Sequence, residues 1–233
     1  MVRSYPSHDR DSNMYKIYYF GPGLSGCSTS IDKVLRRCLD AETAGRAVWG
    51  ERLEFATPCP ALEHLPRGRW TLISGRKSVI FDLLRLQLLR DIDGVVFVAD
   101  LQPQRLQATR RAMEVLQLEL AYHGISLAPS SKRPSFDIEE LVESSRSLDI
   151  QNSYRKMMAD LDALRQAKVS PSRLVPFVLQ LNKNDIRGVL HEHEVIDALG
   201  FREGQVSAVT SHATQGKGVL EAFEKLAERV VSQ

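Results

Sequence analysis

Few cysteines, almost no net charge and no long apolar run are the first features of this chain. Cys27, Cys38 and Cys59 are an odd number without paired spacing, which argues against a disulfide framework and against a structural zinc site. Thirty-one Lys and Arg against 29 Asp and Glu leave a formal charge of +2. That excess is too small to mark a DNA-binding surface, and the basic pairs Arg36-Arg37 and Lys132-Arg133 have no aromatic residues interleaved with them. No run of about 18 apolar residues exists, and residues 1–16, MVRSYPSHDRDSNMYK, hold no apolar segment resembling a secretory signal. A cytoplasmic protein without a membrane anchor is the expectation.

What is present reads as globular. Of the 233 residues, 43% are hydrophobic and 26% charged, enough to bury a core and too balanced for disorder. Residues 1–14 are polar and read as a flexible tail, followed by one domain over 15–231. Within that domain Lys16-Ile17-Tyr18-Tyr19-Phe20 reads as a strand stopped by glycines, and a helix is expected from Thr29 to Leu39. Arg52–Thr57 and Trp70–Ser74 read as short strands that pair as a hairpin, and Val79–Arg90 is helical in composition.

Gly94–Ala99 is apolar throughout, as a central strand covered on both faces should be. Helix is expected from Pro103 to His123, with Leu106, Met113, Leu116 and Leu120 on one stripe. The stretch SLAPSSKRPS, Ser126 to Ser135, reads as irregular, and 126–170 as an insertion with an accessory helix over Ser153–Ala167. Strand character returns at Leu174–Leu181 and Gln205–Thr210, with helices at Glu192–Leu199 and Val219–Val231, the last turning Val219, Phe223, Leu226 and Val230 inward. Such alternation of strand and helix implies an α/β fold with a mostly parallel sheet and helices on both faces.

Three segments could carry chemistry. Gly21-Pro22-Gly23-Leu24-Ser25-Gly26-Cys27-Ser28-Thr29 has the G-x-x-x-x-G spacing of a phosphate loop between a strand and a helix. Backbone N–H groups in such a loop and at the following helix start are free donors that can wrap an anion. The lysine that normally follows the second glycine is replaced by Cys27, so the cation that reaches terminal phosphates is missing, while Ser28 remains as a hydroxyl for magnesium.

Leu179-Gln180-Leu181-Asn182-Lys183-Asn184-Asp185 is a strand ending in N-K-x-D. There a carboxylate could accept from the N1–H and exocyclic amine of guanine, donors that adenine does not offer in that pattern. Asn182 would brace neighbouring loops, and Lys183 would lie along the base plane. Ser211-His212-Ala213-Thr214 would close the site with a backbone amide near Ala213. Elsewhere, His191 and His193 are two apart and read as an exposed helix start rather than a metal site. Cys27 at a helix start is a candidate for a lowered pKa.

YYFGPGLSGCSTS, DGVVFVAD, LQLNKND and TQGKGV, in this order, resemble the Ras-like small GTPases of P-loop fold, and within them the bacterial and archaeal MglA-type GTPases of cell polarity and gliding motility. The resemblance implies GTP and GDP with Mg2+ as ligands. It places Gly21, Leu24, Ser25, Gly26, Cys27, Ser28 and Thr29 on the phosphate loop, Ser28 at the metal, and Asn182, Lys183, Asp185, His212 and Ala213 around the base. It also implies partners of the Roadblock/LC7 type, contacting switch regions near 40–57 and 74–90.

Two departures bear on catalysis. The segment Leu72-Ile73-Ser74-Gly75-Arg76-Lys77 has Gly75 where the chain could turn toward a γ-phosphate, but Arg76 stands at the glutamine-like position, and a guanidinium has donors only. Arg76 or Lys77 could instead supply the charge lost at Cys27. The first switch threonine is ambiguous, with Thr43 and Ala47 both alignable. The expectation is therefore a guanine-nucleotide-binding protein with weak or absent intrinsic hydrolysis, recruited to a cell pole or motility complex. The alternative is a nucleotide-free scaffold on the same fold.

Overall fold

A computed structural model describes residues 14–38, 52–56, 69–74, 89–128, 155, 159, 173–202 and 204–233. The strands are β1 (Met14–Phe20), β2 (Arg52–Ala56), β3 (Arg69–Ser74), β4 (Gly94–Asp100), β5 (Ile125–Ala128), β6 (Arg173–Asn182) and β7 (Ser207–Thr210). The helices are α1 (Cys27–Cys38), α2 (Leu106–Tyr122), α3 (Glu192–Ala198) and α4 (Val219–Val231). They form one sheet of order β2-β3-β1-β4-β6, in which β6 also pairs with β5 and β7. All pairings are parallel except β2 with β3, the expected hairpin pair.

Residue alternation explains why both faces are covered. In β1, Ile17 and Tyr19 join one core cluster while Tyr18 and Phe20 join the other, the period of two that a pleated strand imposes. The first cluster collects Val96, Val98 and Val178 beneath α1 and α4; the second collects Val95, Phe97, Phe177 and Leu179 beneath α2 and α3. In α4 the expected stripe Val219, Phe223, Leu226 and Val230 is buried. Each fully buried Leu or Phe there contributes about 2–3 kcal/mol. Contact is tight enough that a Cβ on Gly94 would lie 2.8 Å from Val230 Cγ2 and 3.1 Å from Leu226 Cδ1.

Several boundaries differ from expectation. Ser126 is not the start of an irregular stretch. Ile125–Ala128 form β5, because Ile125 and Leu127 alternate into the core and the strand pairs with Arg173–Pro176 of β6. Pro129 follows at once. The expected insertion therefore overlaps this strand; of its remainder only Arg155 and Ala159 are described, both helical. β1 begins at Met14, paired with Arg69, so the last residue of the expected tail is strand, and residues 1–13 lie outside the described set.

The first helix starts at Cys27 rather than Thr29, and Pro103–Arg105 form a 3-10 turn ahead of α2. β7 starts at Ser207, Gln205 being held in a turn by its N–H bond to the Arg202 carbonyl. Of the helical stretch Val79–Arg90, only Leu89 and Arg90 are described. Among the described residues no helix is long and apolar enough to cross a membrane.

Candidate functional site

β1, β4 and β6 run parallel, so their C-terminal ends open on one edge of the sheet, where open α/β folds place their ligands. β1 ends into the Gly21–Gly26 loop. This backbone lies against β4 so closely that a Cβ on Gly21 would meet the Val98 carbonyl oxygen at 2.2 Å. Gly26 has φ +106° and a Cβ there would lie 2.4 Å from Asn182 Nδ2, so only glycine fits. Leu24, 88% exposed, sits at φ +67° on the loop tip. A turn closed by Ser25 N–H to the Pro22 carbonyl at 3.0 Å completes the loop.

The first bond of the α1 ladder runs from Ser30 N–H to the Gly26 carbonyl, 2.8 Å. The amides of Cys27, Ser28 and Thr29 therefore stand outside that ladder, at the positive end of the helix dipole. Ser28 is exposed there and Thr29 half-buried. This concavity of backbone donors, with residues in left-handed conformation on both sides of Ser25, suits a phosphate chain. Cys27 does not supply charge: desolvation pushes its thiol up to about 11, against a lowering by the Ser25 hydroxyl 3.4 Å away. The expectation of a thiol activated by the helix start is overturned, because burial outweighs the dipole.

Asn182 joins three loops. Its Nδ2 donates to the Ser25 carbonyl at 2.6 Å, while Oδ1 accepts from Ala213 N–H at 2.9 Å and from Ser211 Oγ at 3.2 Å. This is the bracing expected of it. Ala213 N–H, expected to face a base, is instead bonded to Asn182. Behind Asn182, buried Gln180 Nε2 bonds Ser30 Oγ at 2.8 Å and Ser211 Oγ at 3.1 Å, tying α1 to β6 and to the loop after β7.

Lys183, expected along a base plane, is anchored at its tip. It adopts φ +69°, and its Nζ lies 2.6 Å from Oδ2 of Asp100, a fully buried carboxylate at the end of β4. Asp185 is 43% exposed at the rim, its Oδ2 3.2 Å from His212 Nε2, which also contacts Thr214 Oγ1 at 2.6 Å. Gly218, φ +69°, lets the loop before α4 approach β7 so closely that a Cβ would stand 2.1 Å from the Thr210 carbonyl.

The phosphate-loop, N-K-x-D and third-loop residues are thus brought together. Thr43, Ala47, Gly75, Arg76 and Lys77 lie outside the described residues. His191 caps α3, its N–H bonded to Glu194 Oε2 at 2.6 Å, and its ring stacks on His193 at 5.8 Å. Among the described residues no group of three potential ligands could hold a metal ion. Missed from the sequence were Asp100 and its partner Arg105, whose guanidinium donates to the Gly23 carbonyl and lies 3.6 Å from Asp100 Oδ2. The available signal was a lone acidic residue closing the apolar run VVFVAD.

No protein-family model matches the chain. It is 25% identical over 225 residues to the mutual gliding-motility protein MglA of Myxococcus xanthus (strain DK1622), covering 94% of this chain and 91% of that one. Among solved structures it matches the Arl6 BBS3 small GTPase of Trypanosoma brucei, with bound nucleotide analogue GppNp, at TM-score 0.54 and 18% identity. That match covers 95% of this chain and 99% of that one. The fold is that of the P-loop small GTPases, and the sequence is MglA-like.

Proposed function

We propose that this MglA-like chain of small-GTPase fold binds guanine nucleotide and acts through protein contacts, with weak or absent hydrolysis of its own. The observation that carries the reading is Asn182. One buried amide sets the phosphate loop, the N-K-x-D turn and the third loop in register, an arrangement with a purpose when base and phosphates are gripped together. Asp185 at the rim supplies the two acceptor oxygens that guanine N1–H and its amine require. Gly21, Leu24, Ser25, Gly26 and the amides of Cys27, Ser28 and Thr29 form the cradle for the phosphates, and the exposed Ser28 hydroxyl would hold Mg2+.

Hydrolysis is the weak part of this site. The thiol of Cys27 is neutral at physiological pH and cannot compensate charge developing on a transferring phosphoryl group. Bound Mg2+ would supply Lewis-acid polarisation of the phosphates; the chain itself supplies amides, a hydroxyl and the base-reading carboxylate. A partner that completes the catalytic set fits this deficiency. Roadblock/LC7-type dimers and polarity or motility proteins are the class we assign, with action in the cytoplasm or at a cell pole.

Titration calorimetry of nucleotide-free protein with GDP, GTP, a non-hydrolysable GTP analogue and ATP in magnesium tests this reading. Saturable guanine-selective binding is expected, weakened about tenfold or more in Asp185→Asn, whose amide presents a donor where an acceptor is needed. Absence of binding by folded protein overturns it in favour of the scaffold alternative.

A further inference from the structure

From the chain Lys183–Asp100–Arg105–Gly23 we infer that Arg105 takes over the role of the missing phosphate-loop lysine, as a positioning residue and as the loop's cation. The inference rests on the nucleotide-binding reading and deepens it. Residues Gly21 to Thr29 carry no charged side chain, so positive charge must come from another element. Arg105, at the end of the 3-10 turn after β4, reaches back to the loop and donates to the Gly23 carbonyl.

That single bond has a directional consequence. The Gly23–Leu24 peptide is planar, with C=O and N–H on opposite sides. With the Gly23 oxygen held against Arg105, the Leu24 N–H is fixed on the opposite side of that peptide, away from the guanidinium. Leu24 pays for this orientation with φ +67°, a conformation that a leucine adopts only when its surroundings enforce it. The guanidinium bond to Gly23 and the Ser25-to-Pro22 turn bracket Leu24, and the guanidinium brings a permanent positive charge to a loop built only of neutral groups.

Asp100 holds Arg105 in place. Its buried carboxylate accepts from the Gln102 N–H at 3.1 Å and Gln102 Nε2 at 3.2 Å, and pairs with Lys183 Nζ at 2.6 Å and Arg105 Nε at 3.6 Å. A fully desolvated carboxylate is tolerated only with such partners. The same group thus ties the base-reading turn, through Lys183, to the phosphate loop, through Arg105. Among the described residues, the two non-glycine residues at positive φ are Lys183, one end of this chain, and Leu24, the neighbour of its other end.

The test compares Arg105→Ala, Arg105→Gln and Arg105→Lys with the unsubstituted protein by GDP titration in low and high potassium chloride, with thermal melts to verify folding. Loss of the charged hydrogen bond predicts GDP affinity lower by about tenfold or more in the Ala variant. The salt dependence should flatten in Ala and Gln, where the charge is gone, and be retained in Lys with partial recovery of affinity. A purely structural role would lower affinity with the salt slope unchanged in all three, and would overturn the inference, as would GDP affinities within about twofold of the unsubstituted protein. If the unsubstituted protein binds no GDP while folded, the nucleotide reading itself falls and this inference falls with it.

Discussion

Replacing Asn182 by alanine should destabilise the nucleotide-free protein by about 3 kcal/mol. The side chain makes three bonds, to the Ser25 carbonyl, the Ala213 N–H and Ser211 Oγ, from a site only 3% exposed. Ser211 keeps other partners, since its hydroxyl also lies 3.4 Å from the Leu181 carbonyl and accepts from Gln180. The Ser25 carbonyl and the Ala213 amide lose the partner that Asn182 gives them. Each buried group left unsatisfied costs about 1–3 kcal/mol, and two at about 1.5 kcal/mol each give the total.

For a domain of this size the loss corresponds to a melting point lower by about 6–12 °C. Urea denaturation and scanning calorimetry measure it without any ligand. Asn182→Asp gives the control: its carboxylate still accepts from Ala213 and Ser211 but opposes the Ser25 carbonyl at neutral pH, so its stability should recover as pH falls and the carboxyl regains a donor proton. A loss below about 1 kcal/mol in the alanine variant, or no recovery of the aspartate variant in acid, refutes Asn182 as the joint of the three loops.

Two further predictions follow from ionisable groups. With its thiol pushed up to about 11, Cys27 should react with iodoacetamide at pH 8 about a hundredfold more slowly than an unperturbed cysteine; a rate equal to that of a free thiol, read by mass spectrometry of the Cys27 peptide, contradicts the neutral-loop picture. Asp93 is raised above its ordinary 3.8 by desolvation, which outweighs the Lys16 N–H bond and the nearby Arg173 and Lys16 charges. Because its folded pKa exceeds the unfolded value, its favourable contribution is full below the ordinary carboxylate range and fades as pH rises through the folded value. Asp93→Asn should therefore gain stability relative to the unsubstituted protein across that window in urea titrations; an unchanged difference from acid to neutral pH refutes this.

Which parts of the molecule could be read from the chain follows from how local each cause is. β4 was legible because an unbroken run of Val, Phe and Ala needs cover on both faces, and the two core clusters provide it. α4 was legible because a stripe at helical spacing has one stable burial. β5 was not, because two apolar residues beside proline and serine become a strand only when Arg173–Pro176 offer an edge to pair with, a tertiary effect that outranks propensity.

The site divides in the same way. Gly21 and Gly26 were legible by spacing, since close backbone approach leaves a glycine in the sequence. Asn182 was legible by the motif around it. Asp100 closes the recognised DGVVFVAD segment but nothing there signalled its role, and Arg105 left no mark at all, since it meets Gly23 from 82 positions away. Sequence reading sought the replacement of the Cys27 charge at Arg76 and Lys77, which lie outside the described residues; the end of β4, on the other side of β1 from β3, is a second place from which a cation can reach the loop. Parallel pairing of β1 with β4, Phe20 opposite Phe97, sets the loop after β4 beside the loop after β1. A cation a few residues beyond β4 is then close to the phosphate loop in space, whatever its place in the chain.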